Sequence, residues 1–278
     1  MKIEKIILNG CSFVHGFDIT YEKNNIEKHS RFDEVTKAWS KDLWDDFNSV
    51  RISGQLKKLL DCDNIENLAK PGYSNEYIAS KTIDYINSNL SKINPKTTIV
   101  MIGWTDFCRT VLYSEKYHAF HYSLPYIENY LKIVADQKPK TPKIIDYLKL
   151  LKKFEPISQE YFNDVLCTTT DYYRHINLIL MLQFYLELRG IKYIFWNNLL
   201  NAPRVTFYNK YYPVEYKDIE NQVDWSNWAP DFNKESYDKS WEEIILNDKV
   251  YQTASAHPSE EGVKVWAEKL ANLVKTKY

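Results

Sequence analysis

This 278-residue chain contains few glycines and cysteines, 7 and 4 respectively, and its formal net charge is only −1. The near balance of 36 basic and 37 acidic residues produces no bulk field that would attract nucleic acid or an anionic membrane, so we expect neither as a partner. The 4 cysteines are far apart and form no Cys-x-x-Cys pair, which excludes a disulfide-dense scaffold. We expect all of them to be reduced thiols.

Long apolar runs are missing too. No stretch reaches the length of a membrane-spanning helix, and the first residues carry charges at Lys2, Glu4 and Lys5 where a leader would be apolar. We therefore expect a cytoplasmic protein. With 44% hydrophobic and 26% charged residues, and no internal repeat or linker, the composition predicts one globular domain over residues 1–278.

Aromatic residues, in contrast, are abundant, with 22 Tyr, 12 Phe and 8 Trp. Many lie in two irregular segments, approximately residues 107–163 and 203–247, which we interpret as insertions of helices and loops. Large aromatic side chains either fill cores or line binding surfaces. The rings of the insertions therefore either form a sugar-stacking wall or pack the insertions against the rest of the domain, and packing is the favoured alternative.

The stretch from residue 6 to residue 16 is an apolar run that ends in a turn bracketed by glycines. This pattern predicts a buried strand, a tight turn and the start of a helix, with Ser12 in the turn. A serine in that position either caps the helix or presents its hydroxyl at the edge of the sheet, where ligands bind in open α/β folds. The stretch alone does not separate the two roles.

Three further strands are predicted at residues 65–69, 97–102 and 191–196, alternating with helices. Ser53, and Ser74 or Asn75, are the predicted caps of two helices, and Gly190 is predicted to end a third, over residues 171–189. A final helix is predicted to open at His257-Pro258-Ser259. Alternating strands and helices predict a parallel sheet with helices on both faces and the first strand central. Its carboxyl edge would collect Ser12, Gly72, the turn of residues 103–106 and His257.

Three stretches resemble, in order, sequence blocks of the GDSL-like, or SGNH, hydrolases: Asn9-Gly10-Cys11-Ser12-Phe13-Val14-His15-Gly16, Asn67-Leu68-Ala69-Lys70-Pro71-Gly72-Tyr73-Ser74-Asn75, and His257-Pro258-Ser259-Glu260-Glu261-Gly262. The resemblance implies a flavodoxin-like, three-layer α/β/α fold with a central parallel sheet. It also implies Ser12 as nucleophile, His257 as base and the Gly72 amide as an oxyanion donor.

The third block departs from the family pattern Gly-x-Asn-Asp, because Thr105 stands where the family has its oxyanion asparagine. Either Thr105 or Asn75 then supplies the side-chain donor, and we favour Asn75 for the length and donor geometry of its amide. The family's acidic residue before the histidine is also replaced, by Ala254. A tryptophan and a threonine followed by an arginine, as in Trp104, Thr105 and Arg109, is similar to phage-encoded relatives.

The resemblance implies a serine esterase or O-deacylase that acts on a small ester, such as an O-acetylated sugar or glycan, without a cofactor. Asp106 and Arg109 are candidate residues of the site rim, or else form a salt bridge. His118 and His121 have the spacing of metal ligands but no third ligand nearby, so we expect no metal. The alternative function is that of a catalytically degenerate SGNH-fold protein that binds a ligand or a partner.

Overall fold

The structure is a computed structural model that describes residues 2–16, 41–106, 109–112, 120–123, 168–198, 218–229 and 258–278. The strands are β1 (Lys5–Gly10), β2 (Ile65–Asn67), β3 (Thr98–Trp104), β4 (Arg109–Leu112), β5 (Phe120–Ser123) and β6 (Lys192–Asn197). The helices are α1 (Ser12–His15), α2 (Lys41–Val50), α3 (Ile52–Leu60), α4 (Asn75–Ser88), α5 (Thr168–Leu188) and α6 (Glu260–Lys277). None of the helices in these ranges is apolar over a length sufficient to cross a bilayer.

Four strands form a parallel sheet in the order β2-β1-β3-β6, which confirms the predicted parallel sheet with β1 inside it. Strands β1 and β3 are buried along their whole length, as expected of the two internal strands. Gly10 of β1 is paired with Gly103 of β3, which is paired with Trp196 of β6. These three residues form one row close to the carboxyl edge of the sheet.

Helices cover both faces of this sheet. On one face α3 packs against α6, and on the other α4 packs against α5. Asn9 of β1 and Trp196 of β6 point to opposite faces and contact helices of the two different layers. Asn9 donates to the Ile78 carbonyl oxygen and to Thr82 Oγ1 of α4, both at 3.0 Å, whereas Trp196 lies 6.3 Å from the ring of Trp266 in α6. The connection from β1 leads to β2 on one side of it, and the connection from β2 leads back past β1 to β3. Because these two connections run in opposite directions across the sheet, right-handed crossovers place their helices on opposite faces.

Most of the predicted helix boundaries agree with the structure. Ser74 caps α4, accepting from the Tyr77 amide, and Ser259 caps α6. Gly190 follows the end of α5 with φ of 64°, a conformation that suits glycine. The predicted cap at Ser53 is wrong, because α3 begins earlier. Arg51 precedes the helix, and Ser53 lies buried inside the first turn.

The segments interpreted as insertions are described only in part. Within the first, β4 and β5 pair as antiparallel strands, so the expectation of helices and loops alone is wrong there. Within the second, Trp228 forms a single parallel bridge to Phe195 of β6, and the Ala229 amide donates to the Phe195 carbonyl oxygen at 2.9 Å. The remainder of both segments lies outside the described residues.

Candidate active site

Ser12 is the first residue of α1, two positions beyond the end of β1, and is 7% exposed. The loop after β2 runs beside it, because the Lys70 amide donates to the Gly10 carbonyl oxygen at 3.3 Å. Two residues further along this loop, Gly72 has φ of 80°, a left-handed conformation that an L side chain would strain. Ser12 and Gly72 therefore follow adjacent strands of the sheet at the same edge.

Two glycines let other groups approach this edge closely. A Cβ atom on Gly10 would lie 2.4 Å from a methyl group of Val14 in α1. A Cβ atom on Gly103 would lie 2.2 Å from the side-chain nitrogen of Asn198. Contacts this short do not occur between real atoms. Glycine at position 10 therefore allows α1 to pack in its observed position, and glycine at position 103 allows the Asn198 side chain to do so.

Asn75 joins the loop after β2 to the end of β3. Its Nδ2 donates to the Thr105 carbonyl oxygen at 2.9 Å, and its Oδ1 accepts from the Thr105 amide at 2.8 Å. The amide side chain thus pairs with the backbone of Thr105 as a neighbouring strand would. Both residues are almost completely buried, so these hydrogen bonds are protected from water and fix the turn after β3.

His175 of α5 completes this buried polar group, although it was not a predicted site residue. Its Nδ1 lies 3.0 Å from Nδ2 of Asn75, and its ring meets Trp104 edge-on. Since Asn75 Oδ1 accepts from Thr105, Nδ2 is the donor and Nδ1 of a neutral His175 accepts. Burial, with a smaller contribution from Arg174, lowers the pKa of His175 to about 3, so the imidazole is neutral at physiological pH.

These contacts bear on the choice between Asn75 and Thr105 as the oxyanion donor. Both hydrogens of the Asn75 amide already have partners. The hydroxyl of Thr105, by contrast, is buried with no hydrogen-bond partner in the described part of the chain. A buried hydroxyl without a partner is unusual and calls for an explanation. The geometry therefore favours Thr105, opposite to the preference drawn from the sequence.

Asn198 is a second residue that sequence reasoning missed. Its amide N–H donates to the Trp104 carbonyl oxygen at 2.7 Å, and its Oδ1 accepts from the Trp196 indole at 2.6 Å. Its Nδ2 reaches across Gly103 to within 3.9 Å of Cys11 Sγ, the residue before Ser12. Asn198 thus ties the end of β6 to β3 and to the turn of Ser12. The only sequence signal is an asparagine pair directly after a predicted buried strand.

The two candidate rim residues are connected through the backbone. The Arg109 amide donates to the Asp106 carbonyl oxygen at 3.1 Å. Both residues are described, and no ion pair joins their side chains, which corrects the salt-bridge alternative. Nε and Nη1 of Arg109 are buried without an acceptor among the described residues.

His257 lies outside the described residues, directly before Pro258, so its role as base stays a prediction. His118 and the side chain of His121 are likewise not described. In the ranges that are described, no group of three or more His, Cys, Asp or Glu is placed to hold a metal ion.

No protein-family model matches the chain, and no curated protein matches it in sequence. A functional assignment therefore depends on the chemistry of the residues gathered at the carboxyl edge of the sheet.

Proposed function

We propose that the protein is a serine esterase or O-deacylase that hydrolyses a small ester, such as an O-acetylated sugar or glycan, with Ser12 as nucleophile and His257 as base. The observation that carries the proposal is the position of Ser12 at the carboxyl end of internal strand β1. Gly72 and Thr105 follow the two strands that flank β1. In open α/β sheets this edge is where ligands bind.

Acyl transfer at such a site has two halves. His257 takes the proton of the Ser12 hydroxyl while Oγ forms a bond to the carbonyl carbon of the ester. The bond to the alcohol oxygen then breaks, and that oxygen leaves with the proton held by His257. Water, deprotonated by the same imidazole, attacks the acyl-serine and releases the acid and the free Ser12 hydroxyl. Amide N–H groups of Ser12 and Gly72 would stabilise the oxyanion in both halves.

The Thr105 hydroxyl is the side-chain donor in this proposal. A donor reserved for a negative charge that exists only in the transition state has no partner in the resting protein. The buried, unpartnered Oγ1 of Thr105 fits that description. Asn75 and His175 then act as positioning residues, because the Asn75 side chain pairs with the backbone of Thr105 and His175 in turn holds the Asn75 amide.

Thr105→Val tests this role, since valine keeps the shape and removes the hydroxyl. We expect kcat on an aryl acetate to fall by roughly 10²–10³-fold, the usual loss for one oxyanion donor. We expect the free energy of unfolding to stay equal or to rise by about 1 kcal/mol, because a buried unsatisfied hydroxyl is removed. Steady-state kinetics and urea unfolding of the same preparation measure both quantities.

Thr82→Val is the matched control for this experiment. Thr82 is equally buried, but its hydroxyl donates to the Ile78 carbonyl oxygen at 2.8 Å and accepts from Asn9. Valine at this position should lower stability and leave kcat unchanged. If Thr105→Val kept the wild-type kcat, the Thr105 hydroxyl would not be a donor to the oxyanion.

Active-site labelling tests the proposed function itself. A fluorophosphonate reacts with activated serines, so we expect stoichiometric labelling of the wild-type protein and of Ser80→Ala, an exposed serine of α4. Ser12→Ala should remain unlabelled. A folded wild-type protein that takes up no label would contradict an active serine. It would favour instead the ligand-binding alternative, which the replacement of the family's oxyanion asparagine and acidic residue by Thr105 and Ala254 also favours.

A further inference from the structure

Two basic side chains, Arg51 and His15, lie against Phe47, a fully buried residue of α2. The guanidinium carbon of Arg51 lies 5.1 Å from the centre of the Phe47 ring. The ring of His15, the last residue of α1, lies 5.8 Å from the same ring. Arg51 and His15 are therefore both held against one aromatic surface, and we refer to them together with Lys70 as the basic cluster.

The members of the basic cluster are close enough to interact electrostatically. Burial first, and then the positive charges of Arg51 and Lys70, lower the pKa of His15 to about 3. His15 is thus neutral at pH 7 and does not add a charge. The cluster carries two positive charges, on a partly buried arginine and an exposed lysine.

Arg51 has no anionic partner in the described part of the chain. Its Nε is buried without a hydrogen-bond acceptor, and burial alone lowers the pKa of the guanidinium to about 10. Two other described arginines are satisfied, since Arg174 pairs with Glu76 at 3.1 Å and Arg189 donates to Asn87 at 3.2 Å. A partly buried cation without a counterion costs folding free energy, and an anionic ligand would supply the missing charge.

The basic cluster borders the Ser12 turn. His15 lies one helical turn after Ser12 in α1, where the Ser12 carbonyl oxygen accepts from the Gly16 amide. Lys70 is hydrogen-bonded through its amide to Gly10 and precedes Gly72 by two residues. A group bound by Arg51 and Lys70 would therefore lie beside the residues that carry the proposed chemistry.

We propose that Arg51 and Lys70, with neutral His15 beside them, bind an oxyanion group, a carboxylate or a phosphate, that the ester substrate carries. The planar guanidinium presents two parallel N–H donors that match the oxygens of either group, and Lys70 adds a second charge at the solvent side. Binding of the anion stands on the basic cluster alone. Its assignment to the substrate rests on the proposed esterase function.

The first experiment measures anion binding without any catalysis. Inorganic phosphate is titrated at constant ionic strength while the melting temperature is recorded, and we expect a rise of about 3 °C or more for the wild-type protein at saturation. Arg51→Met should show no phosphate-dependent rise. In phosphate-free buffer the same variant should melt at or above the wild-type temperature, because an apolar side chain replaces a partly buried cation that has no counterion among the described residues. Arg189→Gln is the matched control and should respond as the wild type does.

The second experiment compares two acetate esters of nearly equal shape, 4-acetoxybenzoate with a carboxylate and 4-acetoxybenzamide without one. Arg51→Met is expected to raise KM for the charged ester by about 10–100-fold, the factor for losing one charge-assisted pair. The neutral ester should change by less than about twofold. Lys70→Gln, an exposed substitution, should produce a smaller loss confined to the charged ester, and it serves as the second variant should Arg51→Met fail to fold.

The outcomes separate this inference from the proposed function. Equal effects on both esters, or none on either, would overturn the assignment of the bound anion to the substrate while leaving the esterase in place. If neither ester is hydrolysed, the proposed function fails, and the phosphate titration decides the anion site by itself. A phosphate response that is the same in wild type, Arg51→Met and Lys70→Gln would overturn it.

Discussion

Replacing Ser12 with alanine is expected to lower the rate of hydrolysis of 4-nitrophenyl acetate by roughly 10⁴-fold or more, because without the hydroxyl no acyl-enzyme forms. The fold should be retained. The backbone contact of Ser12 is unchanged by the substitution, since its carbonyl oxygen still accepts from the Gly16 amide and ends α1. Stopped assays of released nitrophenol measure the rate, and thermal melting checks the fold.

The control for this experiment is Ser80→Ala, which should keep the wild-type rate and melting temperature. A burst of nitrophenol equal to the enzyme concentration is expected from the wild type if deacylation is slow, and it should be missing from Ser12→Ala. Turnover by the alanine variant within tenfold of wild type would show that Ser12 only begins a helix.

The second large effect is a loss of stability in mild acid. The pKa of His15 and that of His175 lie near 3 in the folded protein, against 6.5 when unfolded. Between these values only the unfolded chain takes up the protons, so stability falls as pH falls from 6.5 towards 3. At pH 5 each histidine would lower the free energy of unfolding by about 2 kcal/mol, and the pair by about 4 kcal/mol, relative to pH 7.

Urea unfolding at pH 7, 6 and 5 measures this slope. His175→Gln keeps an acceptor for Asn75 and removes one titrating group, so the fall between pH 7 and pH 5 should be about half that of the wild type. The carboxylates contribute equally to the pH dependence of the free energy of unfolding in both proteins, so their contribution cancels when the two are compared. Identical slopes for variant and wild type would show that His175 is not held neutral.

The sequence was sufficient to predict the parallel sheet, because internal parallel strands are apolar on both sides. The runs in β1 and β3 have that composition, and turns rich in glycine or serine follow them. Ser12 and Gly72 could be assigned to one edge for the same reason. Helix starts were less certain. α3 begins two residues earlier than the Ser53 cap suggested, because Arg51 takes the extended conformation there without a capping side chain.

The contacts that define the site could not be predicted in the same way. Whether the Asn75 amide points at an oxyanion or at the Thr105 backbone depends on a side-chain torsion that no sequence pattern encodes. His175, its second partner, is 100 residues away in the chain and lies on a helix that otherwise looks like ordinary core. The partial burial of Arg51, whose Nε is buried, is equally unpredictable from the sequence, where arginine predicts an exposed side chain.

The central place of β1 also has a consequence during synthesis of the chain. Glu4 and Thr97, which hydrogen-bond where β1 and β3 begin, are 93 residues apart. A ribosome needs roughly 5–20 s to add that many residues at the usual rate. For that interval β1 lacks its longer partner strand, and the apolar residues that β3 will cover are open to chaperones. The strand that leads into Ser12 thus becomes an internal strand only after more than a third of the chain has been made.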